Sequence, residues 1–294
     1  MVKENMHFGG YKMDKNSTYK LSNGVEIPAI GFGMWQTPDD KTGVNAVVSA
    51  INAGYKHIDT AVIYGNEDCV GKGIKLAGAD RKDLFLTTKI WNDAHSYDGV
   101  MKSFDESLKK MQTDYVDLLL IHWPNPVAIR DRWAEANADT WRAMEDLYEA
   151  GKVRAIGISN FRRHHIDALL KTAKIAPMVN QIKLCPGETQ ADTVAYSREK
   201  GMLLEAYSPL GTGQIFDVRE LKALAAKYNR SIAQICIRWS LQMGFLPLPK
   251  SVTPSRIEEN LKVFDFELDE ADVKLLAGLD GCVGYASDPD TRTF

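Results

Sequence analysis

The sequence predicts an α/β fold, a single (β/α)8 TIM barrel, on three observations. Eight short apolar runs rich in β-branched residues recur along the chain, the pattern of parallel strands buried on both faces. Amphipathic stretches at helical spacing lie between them. No Pro/Gly/Ser-rich linker or low-complexity tract divides the 294 residues, so a length that could hold two ordinary domains fits one eight-unit barrel better. With 45% hydrophobic residues the chain can fill a core, which excludes a collagen, a coiled-coil rod and a mostly disordered protein. A formal charge of −3, from 36 basic and 39 acidic residues, argues against a dedicated nucleic-acid binder.

Taken in order, residues 1–17 read as a polar, mobile N-terminal extension and residues 18–294 as the barrel domain. The segment YKLSNGVEIPAIGFGMW begins with two short apolar runs around Asn23-Gly24, a favoured two-residue hairpin turn, which predicts an N-terminal β-hairpin. The eight strand candidates then start at Ile30 (IGFG), Lys56 (KHIDT), Leu84 (LFLTTKI), Val116 (VDLLLIHW), Val153 (VRAIGIS), Met178 (MVNQIKL), Met202 (MLLEAYS) and Phe245 (FLPLP). Three helical stripes read as core-facing. They are Val100, Phe104, Leu108 and Met111; Ile166, Leu169, Leu170 and Ala173; and Ile232, Ile235, Trp239 and Met243. Two extra helices are expected near 231–243 and 269–279.

Cys69, Cys185, Cys236 and Cys282 are scattered and form no C-x-x-C pair, so reduced thiols and a cytoplasmic location are expected. The N-terminal segment has no apolar run of signal-peptide length, and no stretch approaches a membrane span.

In a barrel of this kind the chemistry sits at the C-terminal ends of the strands. Asp59 ends the second strand, Tyr64 follows after a short turn, Lys89 ends the third strand and His122 the fourth. Closure of the barrel would bring the four together. Singly, an Asp or Lys at a strand end is most often a loop salt bridge, and a His a satisfied structural group. As a set on consecutive strands they suit proton delivery. A free phenol titrates near pH 10, and a lysine ammonium beside it stabilises the phenolate. A carboxylate would hold that lysine in place, and an imidazole could orient a carbonyl oxygen.

These residues resemble the aldo-keto reductase family. HIDTAVIYGNE is similar to the family's strand-two signature, TTKIW and LLLIHWP to the segments with its Lys and His, and GISNF, NQIKL, AYSPLG and PKSVTPSRIEEN to its cofactor-binding segments, all in order over residues 18–294. The resemblance implies reduction of aldehydes and ketones with NADPH as cofactor and no metal. It makes Tyr64 the proton donor, with Asp59 and Lys89 tuning it and His122 orienting the carbonyl. It also implies that Ser159, Asn160 and Gln181 hold the nicotinamide amide, that Tyr207 stacks on the ring, and that Ser208 and Leu210 line the pyrophosphate path. Lys250, Ser251, Thr253 and Arg256 would surround the 2′-phosphate, with Glu259 and Asn260 at the adenine. That cluster makes sense unaided: a phosphate favours an Arg fork, a Lys ammonium and a helix N-terminus, and Pro254 fits a helix start.

Trp35, Trp91 and Trp123 fall next to strand C-termini and would form an apolar substrate slot. The tail GYASDPDTRTF should fold over the mouth, and NPVAIRDRWAEANAD could border it. The tail and GMWQ resemble the bacterial branch with diketogluconate and glyoxal reductases. Two departures from the family pattern stand out, Lys183 where many members carry an acid and Cys185 where many carry His. Cys185 reads as a buried small residue, and His164 and His165 as surface residues rather than a metal site. The expected partner is a small-molecule carbonyl substrate, with no nucleic acid or membrane, and the protein a monomer or weak homo-oligomer. The alternatives are an NADH-preferring reductase and a non-catalytic, cofactor-sensing regulatory subunit on the same fold.

Overall fold

The structure is a computed structural model and describes residues 13–294. Residues 1–12 of the expected extension lie outside the described residues. Residues 14–17 form a turn, with the Ser17 N–H donating to the Asp14 carbonyl at 3.1 Å, and Met13 packs partly buried on the core.

β1 (Thr18–Lys20) and β2 (Glu26–Pro28) form the expected antiparallel hairpin, with Tyr19 opposite Ile27. Its turn differs from the two-residue one. Leu21 N–H donates to the Val25 carbonyl at 2.9 Å and Gly24 N–H to the Leu21 carbonyl at 2.8 Å, which makes a three-residue loop with Gly24 left-handed at φ 88°. The Asn23 side chain is spent elsewhere, donating to the Arg154 carbonyl at 2.9 Å. Ile27 is buried and the Tyr19 hydroxyl donates to the Phe245 carbonyl, so the hairpin plugs the N-terminal end of the barrel.

All eight strand candidates are found: β3 (Phe32–Gly33), β4 (His57–Asp59), β5 (Phe85–Ile90), β6 (Val116–Ile121), β7 (Val153–Ser159), β8 (Val179–Lys183), β9 (Leu203–Tyr207) and β10 (Leu246–Leu248). They pair in sequence order and all in parallel. Gly31 and Gly33 N–H groups donate to the carbonyls of Pro247 and Pro249, each at 3.0 Å, and close the ring. The seam needs glycine. A Cβ on Gly31 would lie 2.5 Å from the Leu248 side chain and 2.6 Å from the His57 ring.

The helices are α1 (Lys41–Ala53), α2 (Glu67–Ala77), α3 (Tyr97–Met111), α4 (Trp133–Glu149), α5 (Arg163–Leu170), α6 (Ala191–Glu199), α7 (Arg219–Tyr228), α8 (Ile232–Gln242), α9 (Pro254–Leu261) and α10 (Glu270–Ala277). Val100, Phe104, Met111, Ile166, Leu169, Ile235 and Trp239 are buried, so the three stripes do face the core. Of the two helices between β9 and β10, α8 packs on β10, whereas α7 packs on α8 and α10. The extra helices are therefore α7 and α10, and the 231–243 segment serves as a barrel helix.

On the C-terminal rim, Asn66 ties two loops together. Its amide nitrogen donates to the Met34 and Thr37 carbonyls at 2.8 and 2.9 Å, and its oxygen accepts from the Thr60 hydroxyl at 2.7 Å. That clamp fixes the turn Val62–Tyr64 against the strand ends. No helix among the described residues is long and apolar enough to cross a membrane.

Candidate active site

Lys89 is fully buried at the end of β5. Its Nζ donates to Asp59 Oδ1 and Oδ2 at 2.8 and 2.9 Å and to the Thr60 carbonyl at 2.8 Å, and it reaches the Tyr64 hydroxyl at 3.5 Å. Burial disfavours the charged form of this lysine, but the Asp59 carboxylate, with Tyr64 and Glu205 adding to it, outweighs burial and the ammonium is held above its ordinary range. Tyr64 departs from the sequence argument. Burial raises the phenol and outweighs the opposing pull of Lys89, with Asp59 adding to the rise. The phenol therefore keeps its proton at neutral pH, and the ammonium is placed to stabilise the phenolate once the proton leaves.

The His122 ring stands 5.7 Å from that of Tyr64 and 5.1 Å from that of Trp91, edge-on to both. Burial, then the Lys89 charge, hold it far below the usual imidazole range, so it is neutral. A neutral imidazole and a phenol side by side can both donate hydrogen bonds to one carbonyl oxygen.

A layer of amides lies against this set. Gln181 Nε2 donates to Asp59 Oδ2 and to Glu205 Oε2, both at 2.8 Å. Ser159 Oγ donates to the Gln181 carbonyl at 2.7 Å, Asn160 Nδ2 donates to the His122 carbonyl at 3.0 Å and to Ser159 Oγ at 3.1 Å, and the Tyr207 hydroxyl donates to Asn160 Oδ1 at 2.8 Å. Asn160 and Ser208 are held at φ 62° and 50°, a left-handed conformation that persists only where the surroundings enforce it.

These groups open into a cavity of about 980 Å³. Its lining includes Asp59, Tyr64, His122, Trp35, Trp91 and Trp123, the residues Asn160, Gln181, Tyr207, Ser208 and Leu210, and the cluster Lys250, Ser251, Arg256, Glu259 and Asn260. α9, which carries Arg256, Glu259 and Asn260 to the cavity, begins with Pro254 in its first turn. Neither Lys250 nor Arg256 takes part in an ion pair among the described residues, and partial burial lowers the proton affinity of Lys250.

Residues 29–280 match the model of the aldo/keto reductase family. The chain belongs to the aldo/keto reductase family. It is 44% identical to a glyoxal reductase of Bacillus subtilis, over 94% of this chain and 98% of that protein. Among solved structures it resembles an aldo/keto reductase from Brucella melitensis, with a TM-score of 0.85 and 44% identity over 91% of this chain and 99% of that one. It also resembles a Bombyx mori aldo-keto reductase in complex with NADP, with a TM-score of 0.82 and 34% identity over 92% and 94% of the two chains.

Within this aldo/keto reductase most residues singled out from the sequence face the cavity. Lys89, Ser159 and Thr253 do not line it. Lys89 stands behind Asp59, Ser159 is enclosed by its bonds to Gln181 and Asn160, and Thr253 sits just before the first turn of α9. Cys185 is buried, its thiol pushed up to about 12 by burial, in keeping with an inert packing residue.

The tail reaches the mouth. The Phe294 ring lies 5.6 Å from Trp91 and 5.3 Å from Trp123, and the Arg292 guanidinium sits 4.4 Å from the Phe294 ring centre. Val127 N–H donates to the Phe294 carbonyl at 3.1 Å and Arg130 donates to the Arg292 carbonyl, so the connection after β6 holds the tail rather than lining the cavity. Lys183 donates to the carbonyls of Val283, Gly284 and Tyr285 at 3.2–3.5 Å, which gives the departure from the family pattern a tethering task.

His165 is buried, not at the surface, because Asp290 of the tail covers it at 2.9 Å, and His164 reaches the same carboxylate at 3.2 Å. These three could be read as metal ligands. However, His165 Nδ1 accepts the Arg162 N–H at 3.2 Å, so its Nε2 carries the proton and donates to Asp290. The arrangement is a latch for the tail.

Sequence reasoning missed Glu205 beside Gln181. The available signal was an acid in the middle of the apolar run MLLEAYS.

Proposed function

We propose that this protein reduces aldehydes and ketones to alcohols with NADPH, with the Tyr64 hydroxyl supplying the proton. The observation that carries the reading is the buried Lys89, whose ammonium joins Asp59 to the Tyr64 hydroxyl beside a neutral His122 that lines the cavity. Tyr64 and His122 orient the carbonyl oxygen. As the oxygen gains charge, the Tyr64 proton moves to it, and the phenolate left behind is stabilised by the Lys89 ammonium at 3.5 Å. Asp59 keeps that ammonium charged and fixed in place.

The residues present fit a phosphorylated dinucleotide. Lys250 and Arg256 are cations without ion-pair partners among the described residues, next to a helix start, the setting a 2′-phosphate needs. With both its N–H bonds engaged, Gln181 has its Oε1 free to accept from a carboxamide, and the Tyr207 ring offers a flat face close by. When bound, NADPH supplies the hydride that reduces the carbonyl carbon. The three tryptophans and Phe294 leave an apolar slot for a small carbonyl compound, and the likeness to a glyoxal reductase points to 2-oxoaldehydes as a first class to try.

The test follows nicotinamide absorbance with glyoxal, methylglyoxal, simple aldehydes, ketones and keto-sugars. Turnover of at least one class is expected, and Tyr64→Phe should bind NADPH yet lose about 100-fold or more in kcat. A Tyr64→Phe enzyme as fast as wild type would sink the assigned proton donor. A stable protein partner together with no turnover on any carbonyl would favour the non-catalytic sensor instead.

A further inference from the structure

Glu205 lies on β9 with its side chain wholly inside the barrel, and none of the steps above uses it. Its Oε2 accepts one hydrogen of the Gln181 amide, and Asp59 Oδ2 accepts the other. A primary amide has only two N–H bonds, so the two carboxyl groups fix which way the Gln181 amide stands. They also place Asp59 between Gln181 on one side and Lys89 on the other.

The second carboxyl oxygen of Glu205, Oε1, has no hydrogen-bond partner. The charged and titratable groups facing it are Asp59 and His57 on β4, Lys89 on β5, and no others among the groups that shift or pair with it. His57, 3.9 Å from Oε1, is kept neutral, its ring pushed down to about 3 by burial and then by Lys89. A carboxylate with one orphaned oxygen in a closed interior is less stable than the neutral acid. Burial, reinforced by the Asp59 charge, accordingly pushes Glu205 up to about 8, and Lys89 in turn feels the Glu205 charge.

We propose that Glu205 is a positioning residue that sets the upper pH limit of carbonyl reduction: as a neutral acid it holds Gln181 and Asp59 in register with Lys89, and as a carboxylate it adds a negative charge that makes Tyr64 a poorer proton donor. The inference rests on the reductase reading above. The sign follows from charge alone. A further negative group beside Asp59 holds protons more tightly on Lys89 and Tyr64, so proton donation to the carbonyl oxygen slows. One charge acting at an effective dielectric constant near 20 changes a neighbour's proton affinity by roughly tenfold, enough for a rate change of about threefold or more.

The experiment measures kcat for aldehyde reduction on both sides of pH 8 in wild type, Glu205→Gln and Glu205→Leu. Wild-type reduction should fall about threefold or more through that region. Glu205→Gln, which keeps an acceptor for Gln181 but cannot ionise, should lose this step whatever the height of its profile. Glu205→Leu should lose the step and also raise KM for NADPH, because the Gln181 amide is free to turn. A step that survives in Glu205→Gln at the same pH overturns the proposal, as does a flat wild-type profile. Infrared spectroscopy of the wild type reads the proton itself, independent of turnover. A protonated-carboxyl band that is present below pH 8, lost above it and absent from Glu205→Gln is expected, and its absence from the wild type below pH 8 overturns the proposal. Absence of turnover on every carbonyl at every pH, with that band present, would instead refute the reductase reading.

Discussion

Lys89→Met keeps the stem of the side chain and removes the ammonium that Asp59 Oδ1 and Oδ2, the Thr60 carbonyl and the Tyr64 hydroxyl share. The Asp59 carboxyl is then left almost fully buried, with the Gln181 amide as its remaining hydrogen-bond donor. Breaking a buried ion pair by deleting one partner costs about 3–5 kcal/mol, since the other charge stays enclosed. For a domain of this size that corresponds to a Tm lowered by about 5–15 °C. Adding Asp59→Asn removes the enclosed charge, so the double variant should regain much of the stability while staying inactive. Urea unfolding of wild type, both single variants and the double variant measures the coupling. Additive losses in the double variant would refute the account of this pair.

Three further outcomes follow from particular contacts. Arg256→Ala should raise KM for NADPH by about 10–100-fold while leaving KM for NADH within about threefold, because a charge-assisted phosphate contact is what it removes; equal losses for both cofactors would count against the phosphate assignment. Asp290→Ala unties the tail from Asn125, His164 and His165, and should speed hydrogen exchange over residues 286–294 and raise KM for aromatic aldehydes. The hydrogen bond from Asn125 and the pull of the His165 and His164 imidazoles on the carboxylate more than offset burial and hold the Asp290 carboxyl below its usual range, so the wild-type latch should persist at neutral pH and loosen as the pH falls through that depressed value, which hydrogen exchange would show. Gly43→Ala would put a Cβ 2.1 Å from the Pro38 carbonyl oxygen and 2.8 Å from Cys69 Sγ, and should cost about 1–3 kcal/mol in urea unfolding.

The strands and helices were legible because their signals are local. VDLLLI is buried at every position in β6, as the apolar run Leu118–Ile121 in a parallel sheet must be, with Asp117 paired to Arg81 and Arg154. The three helical stripes were readable for the same reason, since helical spacing by itself gathers apolar residues on one side. The strand-end residues Asp59, Lys89 and His122 were legible by position, because a barrel sends every strand terminus to the same rim. Less legible was anything set by a partner far along the chain. The hairpin turn is a three-residue loop whose Asn23 side chain bonds to the Arg154 carbonyl, 131 residues away. His165 is buried because Asp290 covers it from 125 residues away.

By itself the sequence determined an eight-unit barrel, an Asp, Tyr, Lys and His placed together at its rim and a basic cluster near the start of its last barrel helix. Each of these depends on residue type and on spacing within one element or along successive strands. Only the tertiary structure decided how strongly Tyr64 holds its proton, that Glu205 shares the Gln181 amide with Asp59, and that Phe294 reaches the tryptophans. Those outcomes depend on burial and on distances of a few ångströms between distant segments, and both arise only when the barrel closes.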